Sequence, residues 1–160
     1  MFFIARLLSY STYFARWSCL GLLIAALWSA HGAWAEDRPF QEFGDYRVYY
    51  SAFNSSFVDP DIAATYEIVR GRDRGLINIA VVPMGTMGGR SAQVSGHVSN
   101  IFAQRQKLDF FEVREGDAVY YLAPFRFEHE DSLTFNVTVK PAPDLPSYTL
   151  SFQKTFYRDR

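Results

Sequence analysis

The feature that most constrains the fold is an alternation of apolar and polar side chains in the last third of the chain, residues 107–157. Within residues 132–140, one set of alternate positions is apolar throughout: Leu133, Phe135, Val137 and Val139. The positions between them carry threonine or asparagine. Successive side chains of a β-strand point to opposite faces of a sheet, whereas a helix repeats every ~3.6 residues. The pattern therefore predicts a strand with one buried face.

Shorter strand-like runs, separated by turn residues, precede this segment. Residues 36–43 are predicted as a polar lead-in segment, and residues 108–114 as one strand. One short helix is also predicted, because Asp59 suits a helix cap, Pro60 the first helical position and Asp61 the first turn. About seven short strands in a single domain, residues 44–158, indicate an all-β fold, an immunoglobulin-like antiparallel β-sandwich with one short helix. A small closed β-barrel is the alternative, since periodicity does not separate the two.

The first 35 residues have the organisation of a cleavable signal peptide. Their two charged residues are Arg6 and Arg16, and an apolar run covers residues 17–30. Ala33 and Ala35 then form a small-x-small site directly before Glu36. These are the three parts of a secretory signal. An uncleaved membrane anchor is the alternative, because residues 17–35 are nearly long enough to span a bilayer.

Cleavage before Glu36 would change the composition in ways that exclude several functions. Removing 35 of 160 residues leaves 125, without tryptophan or cysteine. No disulfide, thiol nucleophile or cysteine-ligated metal is then expected, and the core must hold the fold by burial. The first 35 residues, the predicted leader, contain 2 of the 16 basic residues and none of the 17 acidic ones. The net charge of the remaining chain is therefore −3. A negative charge argues against nucleic acid as a partner.

Several segments of the predicted domain resemble an exported bacterial family, domain of unknown function 4426. They are FGDY at residues 43–46, YSAFNSSF at 50–57, GLINIAV at 75–81, REGDAVYY at 114–121 and FQKTFY at 152–157. The resemblance covers nearly the whole chain after the leader. It implies a small, all-β protein of the Gram-negative envelope that carries a signal peptide. It implies no activity, and it assigns no catalytic or binding residue.

Two histidines outside the leader, His97 and His129, are the candidates for catalysis or metal binding. His129 lies in a turn among three acidic residues, where adjacent side chains do not converge on one ion. His97 alternates with serines on a polar strand face, side by side with them rather than within hydrogen-bond reach. We therefore assign no catalytic, cofactor-binding or metal-binding residue and expect no cofactor.

Arg70, Arg72 and Arg74 alternate through a charged turn. One interpretation is a contact to an anion or to an acidic partner, and the other is a solvated loop. The glycine-rich segment 85–90 lacks the lysine and the following helix of a phosphate-binding loop. It is therefore interpreted as a connection between strands.

Doubled aromatic residues are the strongest indication of a binding surface. Each pair on a strand sends one ring to each face of a sheet. With the partner rings in the core, Tyr49, Phe110 and Tyr120 are predicted on an outer face. There they either form cross-strand pairs on the surface or dock a partner.

The sequence thus predicts a periplasmic binding or interaction module that is not an enzyme, and an accessory or chaperone-like role is one interpretation of it. The expected partner is an envelope protein or peptide, with membrane contact through the signal peptide before cleavage. The alternative function is a small envelope hydrolase or a metal-binding protein that uses His97 or His129.

The leader generates a direct prediction. After expression in a Gram-negative host, the exported protein is expected to begin at Glu36, because the preceding residues form the cleavage site. Intact-mass measurement of the periplasmic fraction checks this. A full-length mass in the membrane fraction would establish the uncleaved anchor instead.

Overall fold

The computed structural model of the chain describes residues 39–159. These residues form nine strands, which are β1 (Phe40–Phe43), β2 (Tyr46–Asn54), β3 (Arg74–Pro83), β4 (Gln93–Ser99), β5 (Arg105–Leu108), β6 (Phe111–Glu115), β7 (Ala118–Arg126), β8 (Asp131–Lys140) and β9 (Tyr148–Phe156). A 3₁₀ turn at Ser55–Phe57 and helix α1 (Pro60–Thr65) connect β2 to β3.

The strands make two antiparallel sheets. Sheet I has the order β1-β2-β3-β7-β6, and sheet II has the order β5-β4-β8-β9. Within residues 39–159 both sheets stay open at their edges, so the predicted β-sandwich is confirmed and the closed-barrel alternative is wrong. In the same part of the chain, no helix combines the length and the apolar character needed to cross a membrane.

Strand β8 occupies an inner position in sheet II, paired with β4 on one side and β9 on the other. Its predicted apolar face is the buried one, with each of its four residues at most 3% exposed. The same alternation buries Ile77, Ile79 and Val81 of β3 in sheet I. The two inner faces therefore form one core between the sheets.

Phenylalanine rings from both sheets interlock in this core. Phe125 of β7 meets Phe135 of β8 and Phe156 of β9 edge-on, with ring centroids 5.1 Å apart in each pair. Phe152 stacks on Phe135 at 4.8 Å, and Tyr50 of sheet I lies 4.6 Å from Phe152. Such ring pairs add about 0.5–1.5 kcal/mol each beyond the area that they bury.

A second, smaller core lies on the outer face of sheet I, under the segment that joins β2 to β3. The Asp59 carboxylate accepts a hydrogen bond from the Asp61 N–H at 2.9 Å, which confirms the predicted helix cap. Ala63 of α1 and the following Ile68 are buried with Leu76 of β3. Around them pack Phe53, Val58, Tyr66, Phe111 and Leu122.

Two features explain why nine strands form where about seven were expected. Strand β1 lies within the predicted lead-in segment 36–43 and pairs with β2, which places Phe40 opposite Tyr49. The single strand predicted at 108–114 is two strands, with β5 in sheet II and β6 in sheet I. The chain crosses between the sheets at Asp109 and Phe110. Apolar residues flank Asp109 on both sides, and neither glycine nor proline marks the crossing, so the sequence pattern did not reveal it.

The interlocked rings predict a large effect of truncation. Phe135→Ala is expected to lower the free energy of unfolding by about 3–5 kcal/mol, because the cavity opens beneath rings from both sheets. Urea unfolding followed by circular dichroism measures this change. Phe57→Ala is the matched control, since Phe57 is 75% exposed, and its effect should stay within about 0.5 kcal/mol. Equal effects of the two changes would contradict the proposed role of the rings.

Candidate functional site: a groove on sheet I

An open groove of about 370 Å³ crosses β2, β3 and β7 of sheet I. Its lining includes Tyr49 and Ser51 from β2, Asn78 and Ala80 from β3, and Tyr120 from β7. These residues face outward because their neighbours along each strand face the core. Of the described residues that line the groove, none carries a charge at neutral pH.

The Tyr49 side of the groove is held by the edge of sheet I. The Tyr49 ring lies 5.4 Å from the ring of Phe40, and its hydroxyl accepts a hydrogen bond from Arg47 Nη1 at 3.4 Å. The Arg47 guanidinium lies 4.5 Å over the Phe40 ring and donates to the Glu42 carboxylate at 2.7 Å. These contacts hold the Tyr49 ring against the edge of sheet I.

Asn78 lies in the groove among apolar strand residues. Its cross-strand neighbours are Ser51 on β2 and Leu122 on β7. The Asn78 Oδ1 atom is buried and accepts no hydrogen bond from the described residues. A buried acceptor without a donor costs about 1–3 kcal/mol.

The loop between β3 and β4 forms a further boundary of the groove. Met87 lies at the groove with its side chain fully exposed. The Gly89 N–H donates to the Asp117 carbonyl oxygen at 3.0 Å, which ties the loop to the turn between β6 and β7. The approach requires glycine, because a Cβ at position 89 would lie 2.6 Å from the Val119 nitrogen.

A hydrogen-bonded network fixes the end of this loop. The Tyr121 hydroxyl donates to Glu112 Oε2 at 2.6 Å and accepts from the Ala92 N–H at 2.7 Å. Arg114 Nε donates to Glu112 Oε1 at 2.7 Å, and Arg114 also bonds the Ser91 hydroxyl. The network therefore joins β6 and β7 to the residues that lead into β4.

The hydrogen bonds of this network shift the pKa of both Glu112 and Tyr121. The hydrogen bond from Tyr121, with a further contribution from Arg114, lowers the pKa of Glu112 below its ordinary value of 4.5. Burial, followed by the hydrogen bond to Glu112, raises the pKa of Tyr121 above its ordinary value of 10.0. At neutral pH the pair is an ionised carboxylate and a neutral hydroxyl.

The structure brings two of the three predicted surface aromatics together. Tyr49 and Tyr120 both line the groove. Phe110 does not, because it lies at the crossing between the sheets and packs against the main core. Its neighbour Phe111 points to the outer face, where it packs in the smaller core. The expectation that Phe110 belongs to the outer patch was wrong.

The three arginines of the predicted anion contact have partners within the chain. Arg70 donates to the Ser56 carbonyl oxygen at 2.8 Å, and Arg72 donates to the Asp159 carbonyl oxygen at 2.7 Å. Arg74 Nε lies 4.0 Å from the carboxylate of Asp73. These contacts attach the segment that leads into β3 to nearby residues of the same protein and to its C-terminal segment.

The two histidines lie on different elements. His97 is in β4, with Lys107 and Asn136 as its cross-strand neighbours. His129 is in the exposed turn before β8, where its Nδ1 accepts a hydrogen bond from the Arg158 N–H at 3.3 Å. Residues 39–159 contain no cluster of three or more histidine, cysteine, aspartate or glutamate side chains suited to a metal ion.

The predicted cleavage residues Ala33, Ala35 and Glu36 lie outside the described residues.

Sequence reasoning missed Phe40, Asn78 and Met87 as parts of the site. One signal for Asn78 was present, since it is the single polar residue in the apolar run 76–82. Phe40 gave no signal, because a strand of four residues is too short for periodicity to reveal.

Comparison with known proteins decides the family. The family model described as "Domain of unknown function (DUF4426)" matches residues 40–159. The chain belongs to this family. A crystal structure of a DUF4426 family protein from Pseudomonas aeruginosa PAO1 is similar at 34% sequence identity, covering 76% of this chain and 95% of that one, with a TM-score of 0.68. No curated protein matches the sequence.

More distant structures share the fold of this DUF4426 member. FetP of uropathogenic Escherichia coli strain F11, expressed recombinantly in the periplasm of E. coli, is 9% identical, with 76% and 94% of the two chains covered and a TM-score of 0.52. A copper-bound single-substitution variant of FetP is also 9% identical, with 74% and 94% covered and a TM-score of 0.53. At this identity the likeness extends to the fold alone.

The Glu112–Tyr121 pair predicts a pH-dependent contribution to stability. Because the pKa of Glu112 is lowered by folding, the unfolded chain takes up the proton first as the pH falls. The pair's contribution to the free energy of unfolding is fully present at pH values above 4.5. It is lost as the pH falls through the lowered pKa of Glu112. Urea unfolding from about pH 7 down to about pH 3 should therefore show a smaller acid loss in Glu112→Gln than in the wild type.

Glu130→Gln is the matched control, since it removes an exposed carboxyl in the turn between β7 and β8. Its acid profile should follow the wild type. Parallel profiles of Glu112→Gln and the wild type would show that the pair contributes nothing to the folded state.

Proposed function

We propose that this protein is a non-catalytic binding module of the bacterial envelope, and that the groove on sheet I docks a protein or peptide partner. One observation carries the proposal: Tyr49 and Tyr120 line a single open groove that no other described part of the chain fills.

The chemistry of the groove suits docking. Tyrosine rings supply a large contact area and lose little conformational entropy on binding. Tyr49 is already oriented by Phe40 and Arg47, so less ordering is required when a partner binds. The uncharged lining resembles the centre of protein interfaces, from which charged residues are depleted.

An envelope location is part of the proposal. The first 35 residues have the parts of a signal peptide. FetP, which shares the fold, was expressed in the periplasm. An accessory or chaperone-like role is part of the proposal as well, because such a role requires binding without chemistry.

We also propose that the protein is not an enzyme, and this part of the proposal rests on where the two histidines lie. A general base needs an acid or hydroxyl partner within hydrogen-bond reach. His97 has a lysine and an asparagine as its cross-strand neighbours, and His129 Nδ1 accepts a backbone N–H. Neither histidine lines the groove.

Site-specific photo-crosslinking tests the proposal. A photoreactive phenylalanine at position 51, in the groove, is expected to capture a discrete envelope protein in living cells. The same residue at position 151 is the matched control, because Ser151 is equally an exposed serine in a strand but belongs to sheet II. Mass spectrometry identifies the adduct. Equal capture at both positions, or no capture at 51, would contradict docking at this groove.

Truncation of the rings gives a quantitative prediction. Tyr49→Ser with Tyr120→Ser should weaken binding of the captured partner by about 30-fold or more, since central aromatic contacts are worth about 2 kcal/mol or more. Calorimetric titration measures the affinity, and urea unfolding verifies that the domain is folded. Unchanged affinity in a folded double variant would overturn the proposal.

A further inference from the structure

A second cavity, of about 180 Å³, lies at the border of the smaller core on the outer face of sheet I. It shares no lining residue with the groove. Part of its lining is apolar and comes from three strands, with Leu76 of β3, Phe111 of β6 and Pro124 of β7. Glu67, which follows α1, and two arginines add charge to the same cavity.

The two arginines of this cavity, Arg74 and Arg126, have unused hydrogen-bond donors. Both lie near the carboxylate of Asp73, at 4.0 Å from Arg74 Nε and 3.9 Å from Arg126 Nη1. These separations exceed the length of a hydrogen bond, and neither guanidinium donates one to any described residue. The Arg126 side chain is 63% exposed, so a ligand can reach it. A guanidinium binds an incoming carboxylate through two parallel hydrogen bonds.

Glu67 supplies the opposite charge at the same cavity. Its side chain is exposed, and its carboxylate forms no ion pair or hydrogen bond with the rest of residues 39–159. Its backbone has a φ of 54°, and the following Ile68 N–H donates to the Ala63 carbonyl oxygen at 2.8 Å. This position after a helix favours glycine, because a side chain is strained there. Glutamate is thus disfavoured by the helix end, while its carboxylate is available to a cation.

Charge and size together restrict what this cavity can bind. A simple carboxylate would be repelled by Glu67 and Asp73, and a simple amine by the two arginines. A molecule that carries both charges meets a partner for each. The apolar part of the lining requires an apolar group as well. The volume of about 180 Å³ is below the ~300–1,000 Å³ of usual ligand pockets, so the molecule must be small. An α-amino acid carries all three groups on one carbon.

We propose that this cavity binds a free α-amino acid with an apolar side chain. The carboxylate of the ligand accepts hydrogen bonds from Arg74 and Arg126, and its ammonium group donates to Glu67. Its side chain packs against Leu76 and Phe111. The site is separate from the groove, so the inference goes beyond the proposed function and does not depend on it.

Titration of the isotope-labelled exported protein with L-leucine, followed by its amide chemical shifts, tests the inference. The shifts are expected to change at residues 67–69, 74–76 and 124–126, and not at residues 49–51 of the groove. L-Leucinamide lacks the carboxylate, N-acetyl-L-leucine lacks the ammonium group, and glycine lacks the side chain. Each is expected to bind about tenfold more weakly than leucine, because each leaves one part of the site without its partner.

Two variants assign the charges to residues. In Arg126→Gln, the preference for leucine over leucinamide should decrease, because the carboxylate loses a charged donor. In Glu67→Gln, the preference for leucine over N-acetyl-leucine should decrease instead. Arg90→Gln is the matched control, since Arg90 is an exposed arginine of the β3–β4 loop that lines neither cavity. It should bind all four ligands as the wild type does. The amide spectra verify that each variant is folded.

The outcomes separate this inference from the proposed function. The inference is wrong if leucine at about 10 mM, tenfold above a millimolar Kd, shifts no amide around the cavity. It is equally wrong if leucinamide and N-acetyl-leucine bind as tightly as leucine, or if both preferences persist unchanged in folded Arg126→Gln and Glu67→Gln. If leucine binds at this cavity while crosslinking at position 51 captures no protein, the docking proposal fails and this inference stands.

Discussion

Interlocked aromatic rings between two sheets are the interaction on which the rest of this structure depends. Residues 39–159 contain no cysteine, so no disulfide within them fastens the sandwich. Phe125 of sheet I instead packs edge-on against Phe135 and Phe156 of sheet II, and all three are at most 2% exposed. Such packing requires the strands of both sheets to keep their register, because a slip of one residue would turn a ring outward.

That register also determines what happens on the outer face of sheet I. The strands that send Ile77 and Ile79 into the core necessarily send Leu76, Asn78 and Ala80 outward. The α1 segment covers the end near Leu76 and makes a second small core. The groove lies on the part of β3 that follows, where Asn78 and Ala80 remain uncovered by that core.

The groove is supported by contacts that reach well beyond it. Phe40, on a short edge strand, packs against Tyr49, and the network centred on Glu112 and Tyr121 holds the residues that follow the β3–β4 loop. The first support joins two consecutive strands, β1 and β2. The second joins the β6–β7 hairpin to Ser91 and Ala92, which lie more than 20 residues earlier in the chain. A binding surface on a rigid sheet gains affinity from such restriction, because less side-chain freedom is lost when a partner binds.

Local pattern was sufficient to predict the sandwich, the buried face of β8, the capped helix at Asp59 and the outward direction of Tyr49 and Tyr120. It was insufficient for Phe110, since the crossing between sheets at Asp109 and Phe110 is marked by neither glycine nor proline. It was equally insufficient for Arg70 and Arg72, whose partners are carbonyl oxygens at Ser56 and Asp159.

The sequence by itself determined the alternation, and hence the faces of each strand, because side-chain direction in a strand depends on parity alone. Tertiary structure alone decided which outward faces are covered and which remain open. Whether Asn78 is covered depends on where α1 and the β3–β4 loop pack, and those positions follow from contacts between residues far apart in the chain. The groove and its unpaired acceptor are consequences of that packing.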